Sequence, residues 1–310
     1  MCCFSAKTEV HGTRIFARQK AAGTQTLVYQ MKYSASEPTA MILPLPVALP
    51  TRENAVGWTS LKEYPSFFDD LDNGFPEKPP SQGLFASKSA AIAAAPALAV
   101  HEVGDFIASF VPSVKDFDRV DPRFAIARDV WAQIPQYADY GFAVFQLKEL
   151  AGSPHPIAFD FASRLGGRIF FPTVHIHDGT VHREDAFDHM LYVQDARYDA
   201  RAGDYDGPEQ IDDRTGFVRS KERASAFGDV PRSAGVLAGE LLVHRMPIVG
   251  MHRNEDVLVD PEPSRSRGAC GRCDAARPQD AGGDGIGAAS AAMAGLAWII
   301  RRRTILRRHG

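Results

Sequence analysis

Three histidines that lie close together in the sequence, His175, His177 and His182, could bind a divalent metal ion. The dipeptide Asp178-Gly179 between them is a strong signal for a two-residue type I′ turn. In the hairpin that this turn predicts, His175 lies opposite His182, and His177 shares their face because side chains alternate along a strand. Catalytic zinc is often held by three protein ligands and a water. The sequence therefore predicts a hairpin that could bind zinc or another divalent metal.

A further strand is predicted just beyond the hairpin and could complete such a site. Either His189 or Asp188 could be a fourth metal ligand or could accept a hydrogen bond from one of the ligands. The three-histidine pattern is similar in outline to the zinc site of α-class carbonic anhydrases. The pattern also fits an ordinary solvated strand face, and a bulge at the turn would move His182 to the opposite face. Both interpretations stay open on the sequence alone.

Cys2 is the second residue that could do chemistry. Removal of Met1 would leave it with a free α-amine, and the pKa of such an amine, about 7.7–8.0, suits proton transfer at neutral pH. The spacing from Cys2 to Arg18 resembles the start of N-terminal-nucleophile hydrolases of the bile-salt hydrolase type, which implies catalytic roles for Cys2 and Arg18. Gln19-Lys20 departs from that pattern, where those enzymes carry an Asn and then an Asp. The alternative is that Cys2 packs as a small hydrophobic residue.

The composition excludes several other classes of protein. The net charge of −3 over 310 residues gives no sign of nucleic-acid binding. The four cysteines form two close pairs, Cys2-Cys3 and Cys270 with Cys273, so no disulfide framework is expected, and only half of a zinc ribbon is present. No phosphate-binding glycine loop and no Gly-x-Ser-x-Gly motif occurs between a strand and a helix.

The elements that must position these residues are mostly strands. Runs with β-type alternation are separated by Gly and Pro breaks, and a few short amphipathic runs favour helix. The sequence predicts an α+β fold that is mainly antiparallel β, sandwich-like or made of two packed sheets, with a few short helices. The predicted strands are residues 13–18, 26–33, 40–47, 98–110, 140–148, 156–161, 187–194 and 241–250, and the predicted helices are 64–71, 113–117 and 126–134.

Two regions are predicted to differ from this β-rich domain, which we place at residues 1–260. Residues 195–235 are charged and poor in aromatic side chains, which indicates a flexible insertion. Residues 261–310 are rich in Arg, Gly, Asp and Ala, which indicates a disordered tail. The tail contains a short apolar segment, 286–300, followed by an Arg cluster.

The apolar segment of the tail raises the question of membrane attachment. It has 15 residues, fewer than the roughly 20 that a spanning helix needs, and its trailing arginines fit a positive-inside stop. Together with the preceding Cys pair it resembles bacterial C-terminal sorting tails, so residues 286–303 could attach the protein to a membrane. An ordinary amphipathic or disordered tail is the alternative. No secretory signal is visible at the N-terminus, so a cytoplasmic location is expected otherwise.

Several motifs resemble those of an uncharacterised bacterial family. They are Met1-Cys2-Cys3-Phe4, Ile42-Leu43-Pro44-Leu45-Pro46 and Phe171-Pro172-Thr173-Val174-His175-Ile176-His177-Asp178-Gly179, and the resemblance covers about residues 1–260. The chain is also similar to a broader domain of unknown function that begins with a Cys-Gly-Phe segment. Neither resemblance implies an activity or a partner.

Three functions remain open from the sequence. The first is a β domain that binds a divalent metal through His175, His177 and His182, with His189 as a further ligand. The second is an N-terminal-nucleophile amidohydrolase that uses Cys2. The third is a non-catalytic envelope or surface module tethered by its C-terminal apolar segment.

Overall fold

A computed structural model of the chain describes residues 3–20, 23–76, 101–207 and 216–260. Its strands are β1 (Cys3–Phe4), β2 (Thr8–Gln19), β3 (Thr24–Ala35), β4 (Ala40–Leu45), β5 (Val56–Ser60), β6 (His101–Val103), β7 (Phe106–Val111), β8 (Gly141–Leu147), β9 (Ala151–Gly152), β10 (Ile157–Ala162), β11 (Ile169–Phe171), β12 (Glu184–Gln194), β13 (Val218–Arg219), β14 (His244–Arg253) and β15 (Val257–Val259). Its α-helices are α1 (Phe67–Asn73), α2 (Arg128–Ala132) and α3 (Ala196–Asp199). Short 3₁₀ turns cover Val114–Arg119, Pro122–Phe124, Pro135–Tyr137 and Ala224–Ala226.

The strands form two large sheets and one small one. The first sheet has the order β1-β4-β8-β7-β6, and the second has the order β13-β14-β12-β2-β3-β10-β5 with β9 also paired to β3. A two-stranded ladder joins β11 to β15. Every ladder is antiparallel except the one between β2 and β12, which is parallel. The prediction of a mainly antiparallel α+β fold with two sheets and a few short helices is confirmed.

The main core lies between the two large sheets. Side chains alternate along a strand, so each strand sends every second residue to the face that meets the other sheet. Met41, Phe106 and Phe145 reach this core from the first sheet, and Ile15 and Phe159 reach it from the second, all of them fully buried or nearly so. Burial of apolar surface between two packed sheets is the dominant favourable contribution to folding here.

The outer faces of both sheets are covered as well. On the first sheet, Phe142 packs against Phe117 and Trp131, which lie on the short helical segments between β7 and β8. On the second sheet, Phe16 and Tyr192 lie under helix α1 and the segment from Ala224 to Val243. Strand β4 is buried on both faces, so all six of its residues are buried. Its sequence is therefore one apolar run rather than an alternation of apolar and polar residues.

The predicted hairpin around Asp178-Gly179 is not formed. The turn itself exists, since Gly179 has a φ of +79° and the Thr180 N–H donates to Asp178 Oδ1 over 3.0 Å. The arms do not pair, however, and β11 forms its ladder with β15 instead. The prediction that His175 lies opposite His182 in a ladder is therefore wrong.

The region predicted to be a flexible insertion contains packed segments. Tyr198, Ser220 and Ala224 have no exposed surface, and Tyr198 belongs to the main core. The described residues belong to a compact unit that spans Met1–Ser264. In the described ranges no helix has both the length and the apolar character to cross a membrane. The predicted tail, 261–310, and its apolar segment lie outside the described residues.

Candidate functional site

The segment that the sequence singled out forms a loop, residues 172–183, which we call the histidine loop. Two side chains from the turn between β14 and β15 fix its backbone. Asn254 Oδ1 accepts a hydrogen bond from the His175 N–H over 2.6 Å, and Asn254 Nδ2 donates to the carbonyls of His175 (2.9 Å) and His182 (3.0 Å). One amide thus satisfies backbone groups on both arms, which in a hairpin would pair with each other.

Asp256 fixes the beginning of the histidine loop. Its Oδ1 accepts the backbone N–H groups of Thr173 (2.9 Å) and Val174 (3.2 Å), and its Oδ2 accepts from Tyr137 Oη over 2.6 Å. Burial raises the pKa of Asp256 to about 6, although these three hydrogen bonds act in the opposite direction. Burial also raises the pKa of Tyr137 well above its ordinary value, so the phenol stays protonated and remains a donor. Sequence analysis missed Asn254 and Asp256, which give no signal beyond being polar residues at a strand end.

Three imidazoles form a stack beneath the loop. The ring of His175 lies 5.2 Å from that of His177 and 5.2 Å from that of His189, with interplanar angles of 12° and 15°. Phe187 packs against His175 at 4.1 Å and Phe4 against His177 at 5.9 Å, so apolar rings enclose the stack. Burial lowers the pKa of His175 to about 2 and that of His177 to about 4. Both rings are therefore neutral at physiological pH.

The geometry of the stack is unlike that of a metal centre. The lone pair of an imidazole nitrogen lies in the plane of its ring, so stacked, nearly parallel rings do not direct their lone pairs at a common point. Among the described residues, no group of three or more His, Cys, Asp or Glu side chains is placed to hold a metal ion. Zinc binding therefore stays a prediction without support from this geometry.

His182 does not join the other two histidines of the predicted site. Its side chain is half exposed, and its Nε2 lies 3.3 Å from the Oδ2 atom of Asp178, which belongs to the turn. The expected face of His175, His177 and His182 is thus replaced by His175, His177 and His189. The predicted register failed because the two arms do not pair with each other: β11 pairs with β15, and Asn254 takes the backbone groups of His175 and His182.

The predicted catalytic pair is described only in part, because Cys2 lies outside the described residues. Its neighbour Cys3 is fully buried in β1 of the first sheet. Arg18 lies near the end of β2 in the second sheet, where its Nη2 donates to the carbonyl of Gly235 over 2.6 Å. Burial lowers the pKa of the Arg18 guanidinium. The catalytic roles of Cys2 and Arg18 stay predictions.

A cleft of about 750 Å³ opens between the histidine loop, the segment that follows α2 and the turn that carries Asn254. We call it the loop cleft. Its lining combines apolar side chains, amides and charged groups of both signs. The apolar side chains are Ile134, Val174 and Val181, and the amides are Gln133 and Gln136. The charged side chains are Arg183, Glu184, Arg253 and Glu255. A cleft of this size is in the range of ligand-binding sites, roughly 300–1,000 Å³.

A second surface of interest is the outer side of β14. The short strand β13 pairs only with His244 and Arg245, so in the described part of the chain residues 246–253 have no strand partner on that side. We call this stretch the β14 edge. Val249 and Met251 on it are 70% and 66% exposed, the highest values for large apolar residues in the described ranges. His252 Nε2 lies 3.0 Å from the Val249 carbonyl oxygen, so this carbonyl is within hydrogen-bond distance of a side chain of its own strand.

Comparison with known proteins gives only remote likenesses. No protein-family model matches the chain, and no curated protein is significantly similar to it. Among solved structures, baculovirus P35 is 13% identical with a TM-score of 0.46, over 84% of this chain and 99% of that one. P35 in the caspase-8/P35 complex is 12% identical with a TM-score of 0.40, over 81% and 96%. A mutated baculovirus P35 after caspase cleavage is 14% identical with a TM-score of 0.39, over 80% and 99%. At these values the function has to be argued from the chain's own geometry.

Proposed function

We propose that this protein is a non-catalytic binding module whose protein partner adds an extended strand to the β14 edge. The observation that carries the proposal is the combination of an unpaired strand edge with two highly exposed apolar side chains on the same strand. An unpaired edge offers backbone donors and acceptors that another chain can use, and proteins commonly recognise extended peptides in this way.

The side chains of the β14 edge support an apolar contact. Val249 and Met251 are two positions apart, so they lie on the same face of the sheet. Both are large and more than half exposed. An exposed apolar patch on a folded protein often marks an interaction surface. Pro247 lies on the same strand, which fits an edge position because proline has no N–H to donate to a ladder.

The charges of β14 define the chemistry of the partner. The strand carries Arg245, His252 and Arg253 and has no acidic residue. Opposite charges directly across a ladder stabilise a sheet and like charges destabilise it, so His252 and Arg253 at one end of the β14 edge favour an acidic residue on the strand that pairs with them. We therefore infer a partner strand with alternating apolar side chains and acidic flanks.

The experiment uses a short synthetic peptide with alternating Thr and Val residues and a Glu at each end. We expect it to bind the full-length protein and to shift the amide resonances of Val249, Met251 and Arg253. The double variant Val249→Lys with Met251→Lys should weaken binding at least tenfold, because it removes the apolar contact. Fluorescence anisotropy of the labelled peptide measures the affinity.

Two controls make the result specific. Leu150 is also an exposed apolar residue, but it lies between β8 and β9, so Leu150→Lys should leave the affinity unchanged. The same peptide with Lys at both ends should bind more weakly than the acidic one. Equal binding of both peptides, or equal losses in the Leu150 and β14 variants, would show that the β14 edge is not the docking site.

A further inference from the structure

We propose that the loop cleft is a separate binding site for short apolar peptides with free termini. The charged groups of the cleft are the first support. Arg183 and Glu184 both line it, and neither side chain forms a hydrogen bond or an ion pair with a described residue, although Arg253 lies opposite Glu184 in the ladder between β12 and β14. In contrast, the nearby Arg253 has Glu255 at 3.7 Å and His182 has Asp178 at 3.3 Å.

A cation and an anion that make no ion pair with the described residues lie in one cleft, and they match a ligand that carries both charges. A peptide terminates in a carboxylate and an ammonium group. Arginine presents donors in a planar fork that fits a carboxylate, and the carboxylate of Glu184 can accept from an ammonium group. We therefore assign the C-terminal carboxylate of the peptide to Arg183 and its N-terminal amine to Glu184.

The remaining lining fits the body of a peptide. Ile134 and Val174 are buried and Val181 is half-buried, and together they form an apolar wall for side chains of the ligand. Gln136 makes no hydrogen bond within the described residues, so its amide is available for the peptide groups of the ligand. The volume of about 750 Å³ leaves room for several residues, more than a single amino acid requires.

The walls of the cleft are held before any ligand arrives. The amide of Asn254 makes three hydrogen bonds with the histidine loop, which use both of its N–H donors, so it shapes the cleft before a ligand binds. Asp256 fixes the backbone of Val174, the buried residue of the apolar wall. A site whose walls are already fixed loses less entropy on binding.

The experiment titrates the full-length protein with the tripeptide Ala-Leu-Ala in three forms: with both termini free, with the N-terminus acetylated and with the C-terminus amidated. Isothermal titration calorimetry measures the affinities. We expect either cap to weaken binding about fivefold to tenfold, because each removes one charge contact. Arg183→Gln should weaken binding of the free and acetylated forms but not of the amidated form. Glu184→Gln should weaken binding of the free and amidated forms but not of the acetylated form.

Matched controls are two exposed residues outside the cleft. Arg52→Gln and Glu37→Gln remove the same charges elsewhere and should leave every affinity unchanged. The proposal is overturned when the free tripeptide does not bind at millimolar concentration, when all three forms bind equally, or when the control variants change the affinities as much as the cleft variants. Binding here is independent of the β14 edge, so Val249→Lys with Met251→Lys should also leave it unchanged.

Discussion

Asn254 shows how one side chain can decide the course of a loop. It comes 72 residues after His182 in sequence and 79 after His175, yet it forms hydrogen bonds with the backbone carbonyls of both. A hairpin between the two arms would satisfy the same groups by pairing them with each other. The structure uses a side chain from the β14–β15 turn instead, and β11 is left to pair with β15.

We expect Asn254→Ala to lower the free energy of unfolding by about 3 kcal/mol, because a backbone group left without a partner costs about 1–3 kcal/mol. Urea denaturation followed by circular dichroism measures the change. Asn73→Ala is the matched control: this asparagine is exposed at the end of α1, and its loss should cost less than about 0.5 kcal/mol. Equal effects of the two substitutions would contradict the role assigned to Asn254.

At the site, the sequence predicts only part of what the structure shows. His175 and His177 were predicted to lie together and do so. The prediction for His182 was wrong because it assumed that the two arms pair, and alternation assigns faces only where a strand exists. Asn254 and Asp256 could not be found from the sequence, since a hydrogen bond to a loop about 80 residues away leaves no local pattern.

Helix α1 is the element that covers the outer face of the second sheet. Phe67, Phe68 and Leu71 are fully buried, and Phe68 packs against Tyr192 of β12 at 5.7 Å. The helix has only seven residues, so its own hydrogen bonds cannot maintain it in water. Its stability therefore comes from the apolar face that it places on the sheet.

Leu71→Ala should lower the free energy of unfolding by about 2–5 kcal/mol, since it removes buried methyl groups and leaves a cavity. Leu150→Ala provides the same chemical change at a residue that is 48% exposed, and we expect a loss below about 1 kcal/mol. Thermal and urea denaturation of both variants measure the difference. A loss as small in Leu71→Ala as in Leu150→Ala would show that α1 does not contribute to stability.

At the scale of elements, sequence analysis was more successful than at the site. Strands β2, β3, β4, β8, β10, β12 and β14 were predicted, because their apolar and β-branched runs end at Gly or Pro. The order of the strands was not predicted. The parallel ladder between β2 and β12 joins residues about 176 positions apart, and nothing within either run indicates the partner.

Three titratable groups around the histidine loop, His175, His177 and Asp256, respond to acid in opposite ways. His175 and His177 have folded-state pKa values lowered to about 2 and about 4, so the unfolded chain binds protons first as the pH falls below about 6.5. Their contribution to stability is present above that pH and is lost on acidification. Asp256, with a pKa raised to about 6, contributes stability that is present below about 3.8 and lost as the pH rises through 6.

Between pH 6 and pH 4 the unfolded chain binds about two more protons at His175 and His177 than the folded protein does, and about one fewer at Asp256. In total the unfolded chain therefore binds about one more proton. We expect these three groups to lower the free energy of unfolding by about 1.4 kcal/mol for each unit of decrease in pH. The variant His177→Phe should abolish most of this slope, because one histidine and Asp256 then cancel. His11→Gln, at an exposed histidine, is the control. Urea denaturation at half-unit pH steps tests this, and an unchanged slope in His177→Phe would contradict it.

The parallel ladder between β2 and β12 also has a consequence for how the chain reaches its native state. The second sheet is divided at this ladder into β2, β3, β10 and β5 on one side and β12, β14 and β13 on the other. A nascent chain on the ribosome cannot join the two halves until Gln194 has emerged from the exit tunnel. Until then the edge of β2 that pairs with β12 is open. Contacts of such long sequence separation make folding slow, so we expect the emerging chain to depend on chaperones that shield strand edges.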